Sequence, residues 1–381
     1  MNFRSYEIKD ICKIKSGKRL PKGTDFSEKP TKYKYIRARD IKNGKIDGSD
    51  LGYISEEIHK KIAHYIVNTN DIIITIAGTI GEVALVSKEF DGVNLTENAV
   101  RLTEFSKDVC PGFLAYILKS PERKEYMEQV AGGSAQPKLG IYKIEAIKVD
   151  LPDTQIQHKI ADILSAYDDL IENNEKQIKL LEEAAQRLYK EWFVDLRFPG
   201  HENTKIVDGV PEGWSRGLLK ELISVNYGKD HKKAPDDGNI PVYGSGGLMR
   251  KCNKSLFSGE AVLIPRKGSL NNIMYVDETF WTVDTMFYAT MKQPHTAVFV
   301  YFFVKAFDMY SMNIGAAVPS MTAKILDAMD VVIPDKETLE KFDKREKVYF
   351  NKIKTLHGQN ERLKTARDLL LAKLMSGEVE V

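Results

Sequence analysis

The residues with the clearest chemical potential in this 381-residue chain are lysines and arginines that cluster near small polar residues. Within residues 1–45 there are 14 basic and 5 acidic side chains, with Tyr33 and Tyr35 interleaved among them. Ammonium and guanidinium groups bind phosphates, whereas Arg, Gln, Asn and Ser can also bond to base edges. The pattern therefore indicates contact with a nucleic acid. A basic face that is merely solvated is the alternative reading of the charge alone.

Motifs for catalysis and for metal binding are missing from the sequence. There is no G-x-x-x-x-G-K-[ST] loop, no H-E-x-x-H pair and no Pro-Pro such as an amino-methyltransferase loop would need. Of the histidines only His59 and His64 lie close in sequence, and the cysteines Cys12, Cys110 and Cys252 are far apart. We therefore expect a chain that is not itself an enzyme, that holds no metal and that resides in a reducing cytoplasm. The glycine-rich run 244–249 opens no helix and is interpreted as a β-turn.

Net charge and length bound the fold. The formal charge is only +2, yet residues 151–200 hold 6 basic and 10 acidic side chains, so the basic excess lies outside that segment. The sequence contains no run of about 18 consecutive apolar residues, so no membrane-spanning helix is predicted. A chain of this length is expected to form two or three domains.

The elements that position the basic residues are two copies of one unit. Four segments recur in the same order: the apolar runs 71–76 and 260–264, the turns 78–81 and 266–270, the segments 94–99 and 280–285, and the segments 132–139 and 314–321. Each copy then runs into a short strand that ends before a proline, Pro152 or Pro334. Duplication explains this shared order better than chance does.

A long helix is predicted after each proline, over about 153–192 and 336–375. In the first helix, apolar residues alternate at spacings of three and four from Ile160 to Trp192, which is typical of a coiled coil. The second seam is less regular, with Glu346 and Arg367 at seam positions. We expect the two helices to pair antiparallel, with Asn174 opposite Asn360 fixing the register and Trp192 opposite Phe342. Packing of each helix against its own domain is the alternative.

The predicted fold class is therefore α+β, with two mixed α/β domains separated by two long helices that form an antiparallel coiled coil, and with pseudo-twofold internal repeats. The predicted divisions are a first domain over 1–150, a central helix over 151–196, a linker and second domain over 197–334, and a C-terminal helix over 335–381.

Basic turns and small polar loops at corresponding places in the copies are the candidate DNA contacts. In the first copy they are Lys18, Arg19, Lys22, Lys34, Arg37, Arg39, Gly78, Thr79, Gln136 and Lys138. In the second copy they are Lys229, Lys232, Lys233, Tyr243, Ser245, Arg250, Lys251, Arg266, Lys267, Ser269, Ser320 and Lys324. Two similar units related by an antiparallel helix pair suggest recognition of a site in two halves.

The chain resembles the DNA-specificity subunits of type I restriction–modification systems over essentially its whole length. The resemblance is carried by Leu151-Pro152, Gln155 and Gln157 before the heptad helix, Ile171-Glu172-Asn173-Asn174, Glu191-Trp192-Phe193-Val194-Asp195 and Pro211-Glu212-Gly213-Trp214. The second copy departs from the pattern, because no Gln follows Pro334 at the corresponding place.

The resemblance implies a non-catalytic subunit whose two target-recognition domains each read half of a split site on double-stranded DNA. It implies that the helices set the spacing and dock two modification (methyltransferase) subunits, and that restriction/motor subunits complete the complex. No cofactor is then expected on this chain, while S-adenosylmethionine, ATP and Mg belong to the partners. Two other hypotheses stay open at this point: a coiled-coil scaffold that binds proteins without reading DNA, and a self-contained methyltransferase.

Overall fold

The computed structural model describes residues 3–132, 137–312, 320–376 and 378–379. By their internal contacts the residues fall into two units. The first unit comprises Met1–Glu172 and Asn360–Val381, and the second comprises Asn173–Gln359.

The first unit is mixed in its secondary structure. Its strands are β1 (Arg4–Glu7), β2 (Lys13–Ser16), β3 (Tyr33–Ile36), β4 (Ile41–Lys42), β5 (Lys45–Ile46), β6 (Gly52–Ile54), β7 (Ile72–Thr75), β8 (Val83–Leu85), β9 (Asn94–Leu95), β10 (Ala99–Thr103) and β11 (Lys148–Leu151). Its short helices are α1 (Ile8–Ile11), α2 (Glu56–Lys61), α3 (Pro111–Lys119), α4 (Pro121–Val130) and α5 (Ile141–Glu145). The apolar run predicted over 71–76 forms the buried strand β7, because four apolar or β-branched residues in succession suit a strand that is covered on both faces.

A four-stranded antiparallel sheet of order β2-β10-β7-β8 forms the centre of the first unit. The first unit also contains a three-stranded sheet of order β6-β3-β9, in which β3 and β9 are parallel. In addition, β1 pairs with β11. Inside the central sheet, Arg101 on β10 and Asp71 before β7 form a buried ion pair at 3.0 Å. The main core contains the apolar side chains of β7, β10 and α3 together with residues of the long helices.

The second unit repeats much of this arrangement. Its strands are β12 (Ile206–Val207), β13 (Val210–Pro211), β14 (Ser215–Leu218), β15 (Ile223–Tyr227), β16 (Ile240–Gly244), β17 (Gly247–Cys252), β18 (Phe257–Pro265), β19 (Met274–Thr282), β20 (Met286–Met291) and β21 (Asp330–Ile333). The helices that lie wholly within it are α7 (Ala297–Lys305) and α8 (Ala323–Asp327). A six-stranded sheet has the order β15-β20-β18-β19-β16-β17, and β14 pairs with β21. The run 244–249 forms the tip of the β16–β17 hairpin, which confirms the predicted turn.

The internal repeat is visible in the sheets. The order β2-β10-β7-β8 of the first unit corresponds to β15-β20-β18-β19 of the second, and the pair β1–β11 corresponds to β14–β21. The second unit extends its sheet by the β16–β17 hairpin, whereas in the first unit β3, β6 and β9 form a separate sheet. The predicted α+β fold with an internal repeat is confirmed, although two strand pairs, β3–β9 and β16–β19, are parallel.

The two long helices are α6 (Thr154–Tyr189), which continues as a π-helical turn over Lys190–Val194, and α9 (Lys336–Ser376). In the first unit, Ile160 and Leu164 near the start of α6 share a core with Leu374 near the end of α9. Asp168 of α6 accepts a hydrogen bond from Arg367 of α9. Since residues before Asp168 share a core with residues after Arg367, the two segments run antiparallel in this unit, as predicted.

In the second unit, the end of α6 meets the start of α9. The rings of Trp192 and Phe342 lie 5.7 Å apart, as the antiparallel register predicted, and Arg345 lies over the Trp192 ring at 5.4 Å. Ala185 is buried in the same core, against which Tyr349 packs. Asn174 and Asn360, predicted to fix the register, are both buried, and the bond between them stays a prediction.

The contacts of Gln157 explain why the motif at the start of α6 contains glutamine at this position. The side chain is fully buried, and its Oε1 accepts a hydrogen bond from the backbone N–H of Cys110 at 2.9 Å. Its Nε2 donates to the carbonyl oxygens of Asp108 and Pro152, both at 2.8 Å. One side chain therefore joins the start of α6 to the loop that leads into α3.

Replacement of Gln157 by leucine is expected to destabilise the first unit by about 2–4 kcal/mol, because three backbone groups lose their partner at once. Hydrogen exchange of the Cys110 amide should accelerate in parallel with a lower unfolding midpoint. Gln155, which is exposed on the same turn, is the matched control for a Gln→Leu change. Equal midpoints and equal amide protection in the two variants would contradict this role.

Candidate nucleic-acid interface

A glycine–lysine step after β2 is held closely against the rest of the first unit. The N–H of Gly17 donates to the carbonyl of Ala99 at 3.1 Å, and the N–H of Lys18 donates to that of Leu95 at 2.8 Å. A Cβ on Gly17 would lie 2.0 Å from the carbonyl oxygen of Thr96, so only glycine fits. The step leaves the Lys18 side chain exposed, and its Nζ lies 5.6 Å from the centre of the Tyr65 ring.

The turn after β7 lies beside Lys138. The backbone of Ala77 pairs with that of Lys138, and the N–H of Leu139 donates to the carbonyl of Ile76 at 2.9 Å. Gly78 adopts a left-handed conformation with φ of 81°, and both Gly78 and Thr79 are exposed. The structure therefore brings together three residues that the sequence predicted as contacts. Gln136 lies outside the described residues.

A groove of about 460 Å³ lies where these segments meet in the first unit. Its lining includes Gly17, Glu97, Lys138, Tyr142 and Lys143. Tyr142 is 68% exposed, which is unusual for so large an aromatic side chain. The groove thus combines ammonium groups, one carboxylate and an open aromatic face.

The other candidates of the first copy differ in their exposure and in the number of bonds that they form to groups of the protein. The Arg19 side chain is exposed and donates from Nε to Glu97 at 2.6 Å. Arg37 forms two hydrogen bonds to the buried Asp40, at 2.8 and 2.9 Å, and packs over the Phe26 ring. The remaining three are Arg39, which is exposed and donates to Asp50 at 3.2 Å, Lys22, which is exposed, and Lys34, which is half-buried on β3.

The second unit repeats the glycine–lysine step. The N–H of Gly228 donates to the carbonyl of Met286 at 3.0 Å, and that of Lys229 donates to the carbonyl of Thr282 at 2.9 Å. A Cβ on Gly228 would lie 2.0 Å from the carbonyl oxygen of Val283. Lys229 is exposed, as Lys18 is in the first unit. The two steps are therefore equivalent in their bonds, in their close approach and in the side chain that they present.

The turn after β18 repeats the turn after β7. The backbone of Lys267 pairs with that of Ser320, and the N–H of Met321 donates to the carbonyl of Arg266 at 2.8 Å. Gly268 has a φ of 83°, which corresponds to the conformation of Gly78. Lys267 and Ser269 are exposed on this turn, and Lys324 is exposed on the adjoining α8.

Although Arg266 lies in the turn, its guanidinium contacts groups of the protein itself. Its Nη1 donates to the carbonyl of Asp284 at 3.0 Å. Its guanidinium lies 5.2 Å from the centre of the Tyr227 ring and 5.5 Å from that of Phe287. Of the two basic residues in the turn, Lys267 is the one whose side chain is exposed.

The β16–β17 hairpin holds four further candidates. Tyr243 donates from its hydroxyl to Glu278 at 2.5 Å, and burial together with that carboxylate raises the pKa of the phenol. The carbonyl of Ser245 accepts from Asn272 at 2.8 Å. Arg250 pairs with Asp236 and donates to the carbonyl of Ala234 at 2.7 Å, while Lys251 is exposed.

Arg250 thereby fastens a second basic segment to the hairpin. Lys232 and Lys233 are exposed on the 3-10 turn His231–Lys233, and Arg250 also donates to the carbonyl of His231. Arg250 therefore positions other basic side chains while its own guanidinium is occupied by partners within the chain.

Sequence reasoning missed Gly17 and Gly228. The signal was present, since a Gly-Lys dipeptide follows the first strand of each central sheet. Its meaning depends on the carbonyls of Thr96 and Val283, which lie far away in sequence and come close only in the folded chain.

In the described ranges, no group of three or more His, Cys, Asp or Glu side chains could hold a metal ion. No helix in that part of the chain is long and apolar enough to cross a membrane.

Comparison with known proteins identifies the family. The sequence profile of the type I restriction modification DNA specificity domain matches residues 2–183 and 211–365. The MjaIX type I restriction enzyme specificity subunit of Methanocaldococcus jannaschii is 26% identical over 98% of this chain and 94% of its own length. The HindI specificity subunit of Haemophilus influenzae is 22% identical over 99% of this chain and its full length, 100%.

A solved structure supports the fold. The crystal structure of the type I restriction–modification S subunit from M. genitalium matches with a TM-score of 0.63 and 19% identity, and the match covers 98% of this chain and 96% of that one. Each of the two profile matches falls largely on one of the two sheet-containing segments described above. The chain therefore belongs to the family of DNA specificity subunits of type I restriction–modification systems.

Proposed function

We propose that each of the two sheet-containing units reads one half of a two-part DNA site. The observation that carries this proposal is the equivalence of the two candidate surfaces. In both units a Gly-Lys step, a turn with a left-handed glycine and a paired backbone segment are joined by the same backbone hydrogen bonds. Equivalent surfaces in two units suit two half-sites of similar geometry.

Within each half, we assign different roles to different residues. Lys18 and Lys229 are exposed on backbone that is firmly held, so they suit contacts to phosphates, which fix position without reading sequence. The exposed turns with Gly78 and Thr79, and with Lys267 and Ser269, offer backbone and side-chain groups that can reach base edges.

For the long helices we propose the role of spacer and docking surface. The 36 residues of α6 correspond to about 54 Å of helix at about 1.5 Å per residue. We propose that they set the gap between the half-sites and bind two modification subunits, with restriction/motor subunits joining the complex. In this proposal the chain itself is non-catalytic and binds no cofactor, and the partner subunits bind S-adenosylmethionine, ATP and Mg.

The proposed division between phosphate and base contacts predicts two different phenotypes. Lys18→Ala and Lys229→Ala should each weaken binding to all sequences alike. Each should also make the negative slope of log affinity against log salt shallower by about 0.9, because one phosphate contact is lost. The double change Lys267→Ala with Ser269→Ala should instead relax one half of the consensus and leave the other half unchanged.

Selection from a random duplex pool by the complex, followed by titration at several salt concentrations, measures both effects. Lys107→Ala, at an exposed lysine in the loop between β10 and α3 and outside the candidate surfaces, is the matched control and should change neither quantity. A consensus that is unchanged by the Lys267 and Ser269 substitutions would remove this turn from the reading surface. A salt slope that is the same for Lys229→Ala and Lys107→Ala would remove Lys229 from the phosphate contacts.

A further inference from the structure

The tip of the β16–β17 hairpin presents two large apolar side chains to solvent. Leu248 is 60% exposed and Met249 is 53% exposed, and they are adjacent on β17. Exposure of a single apolar residue is common, but two such neighbours at the tip of an ordered hairpin form a small apolar surface.

An irregularity in the strand pairing places both side chains at this tip. Val242 lies opposite Arg250, and Tyr243 lies opposite Leu248, so Met249 is an extra residue on β17. Such bulges redirect side chains and are frequent beside functional sites. Across the hairpin, a Cβ on Gly244 would come within 2.5 Å of the sulfur of Met249. The Met249 side chain therefore lies against the backbone of Gly244, and a Cβ there would make this flexible side chain move.

Two basic segments are attached to this hairpin. Asn272 donates to the carbonyl of Ser245 at 2.8 Å and ties the tip to the segment that carries the exposed Lys267. Arg250 holds the turn with the exposed Lys232 and Lys233 against the hairpin. The apolar pair therefore lies on a hairpin bound to two segments with exposed ammonium groups, which suits a polyanion better than an apolar protein surface.

Duplex DNA offers one apolar feature on its base edges that a hairpin can reach. The major groove admits a two-stranded β-ribbon, and there the C5-methyl group of thymine is read by apolar side chains. We propose that Leu248 and Met249 contact a thymine methyl group in the half-site read by the second unit, and so determine that base. This inference rests on the proposed function, because it assumes that the second unit reads DNA.

The test uses the DNA-binding complex and the consensus that random-duplex selection returns. Each thymine of the half-site assigned to the second unit is replaced in turn by deoxyuracil, which removes only the methyl group. One replacement should weaken binding by the wild-type complex about fourfold, the value expected for one buried methyl group. Leu248→Ala or Met249→Ala should weaken binding to the thymine duplex by at least as much and should lose the sensitivity to deoxyuracil.

Controls separate this inference from the proposed function. Deoxyuracil in the other half-site should affect both variants as it affects the wild type, which also shows that they fold. If selection returns no two-part consensus, the proposed function fails. If it returns one without thymine in the relevant half, or if the variants stay as sensitive to deoxyuracil as the wild type, only the methyl contact is overturned. Unstacking of a base step, detected by 2-aminopurine fluorescence and lost in Leu248→Ala, would also overturn it by placing the side chains between base pairs.

Discussion

Alanine in place of Gly228 is expected to abolish reading of one half-site while the other half-site is still read. The added Cβ would lie 2.0 Å from the carbonyl oxygen of Val283 and 2.7 Å from Oγ1 of Thr282. A backbone carbonyl within a sheet connection cannot rotate away as a flexible side chain can, so the Gly-Lys step must move. We expect a cost of at least about 3 kcal/mol, the upper end of ordinary overpacking.

Gly17→Ala is the mirror experiment in the first unit, where the Cβ would lie 2.0 Å from the carbonyl oxygen of Thr96. Each variant should lose a different half of the consensus and should show faster hydrogen exchange only in its own unit. Gly358→Ala is the control, because among the described residues a Cβ added there would meet no atom within 4 Å outside the adjacent backbone of α9, and alanine favours a helix by about 1 kcal/mol. Loss of the same half-site in both variants would contradict the equivalence of the two steps.

Replacement of Glu346 by glutamine is expected to stabilise the second unit, and to do so more strongly as pH rises. Glu346 lies on α9, is fully buried, and its two carboxyl oxygens have no hydrogen-bond partner among the described residues. Burial raises the pKa of this carboxyl from its ordinary 4.5 to about 8. Asp343, one turn earlier and also buried, shows the contrast, since it accepts from His295 at 2.7 Å and pairs with Lys347 at 2.9 Å.

The direction of the pH dependence follows from the raised pKa. Between about pH 4.5 and pH 8 the unfolded chain has released the proton of Glu346 while the folded chain retains it, so stability falls as pH rises. At pH 7 the resulting penalty is about 3 kcal/mol, and glutamine, which does not ionise, removes it. Near pH 4.5 this penalty vanishes, so the wild type and Glu346→Gln should differ little in their free energies of unfolding.

Urea unfolding of the second unit at pH 5, 7 and 8 measures this effect. The gain of Glu346→Gln over the wild type should grow steadily with pH across that range. Glu340→Gln, at an exposed position on the same helix, controls for the loss of a negative charge. A gain that is independent of pH, or equal in the two variants, would show that the Glu346 carboxyl is ionised in the folded protein.

Much of the architecture could be predicted from local patterns. The spacing from Ile160 to Trp192 predicted α6, the apolar runs predicted β7 and β18, and the repeated order predicted two similar units. The two irregular seam residues of α9 have different explanations in the structure. Arg367 pairs with Asp168 of α6, whereas the buried Glu346 carboxyl has no hydrogen-bond partner in the part of the chain that the structure describes.

The remainder depends on contacts between residues that are distant in sequence. The pairing of β2 with β10 joins Ser16 to Val100, and no periodicity within either strand specifies that partner. The same holds for Gly17, whose requirement for glycine depends on the carbonyl of Thr96. Charge counts indicated basic clusters but could not separate Arg250, which holds a turn in place, from Lys267, which is exposed.

Methylome sequencing of a host that expresses this chain with its modification subunit tests the central claim most directly. We predict a methylated motif in two parts with a fixed gap, in which Gly17→Ala abolishes dependence on one part and Gly228→Ala abolishes dependence on the other. A contiguous motif, or a two-part motif in which both substitutions affect the same part, would contradict the claim that each unit reads one half-site.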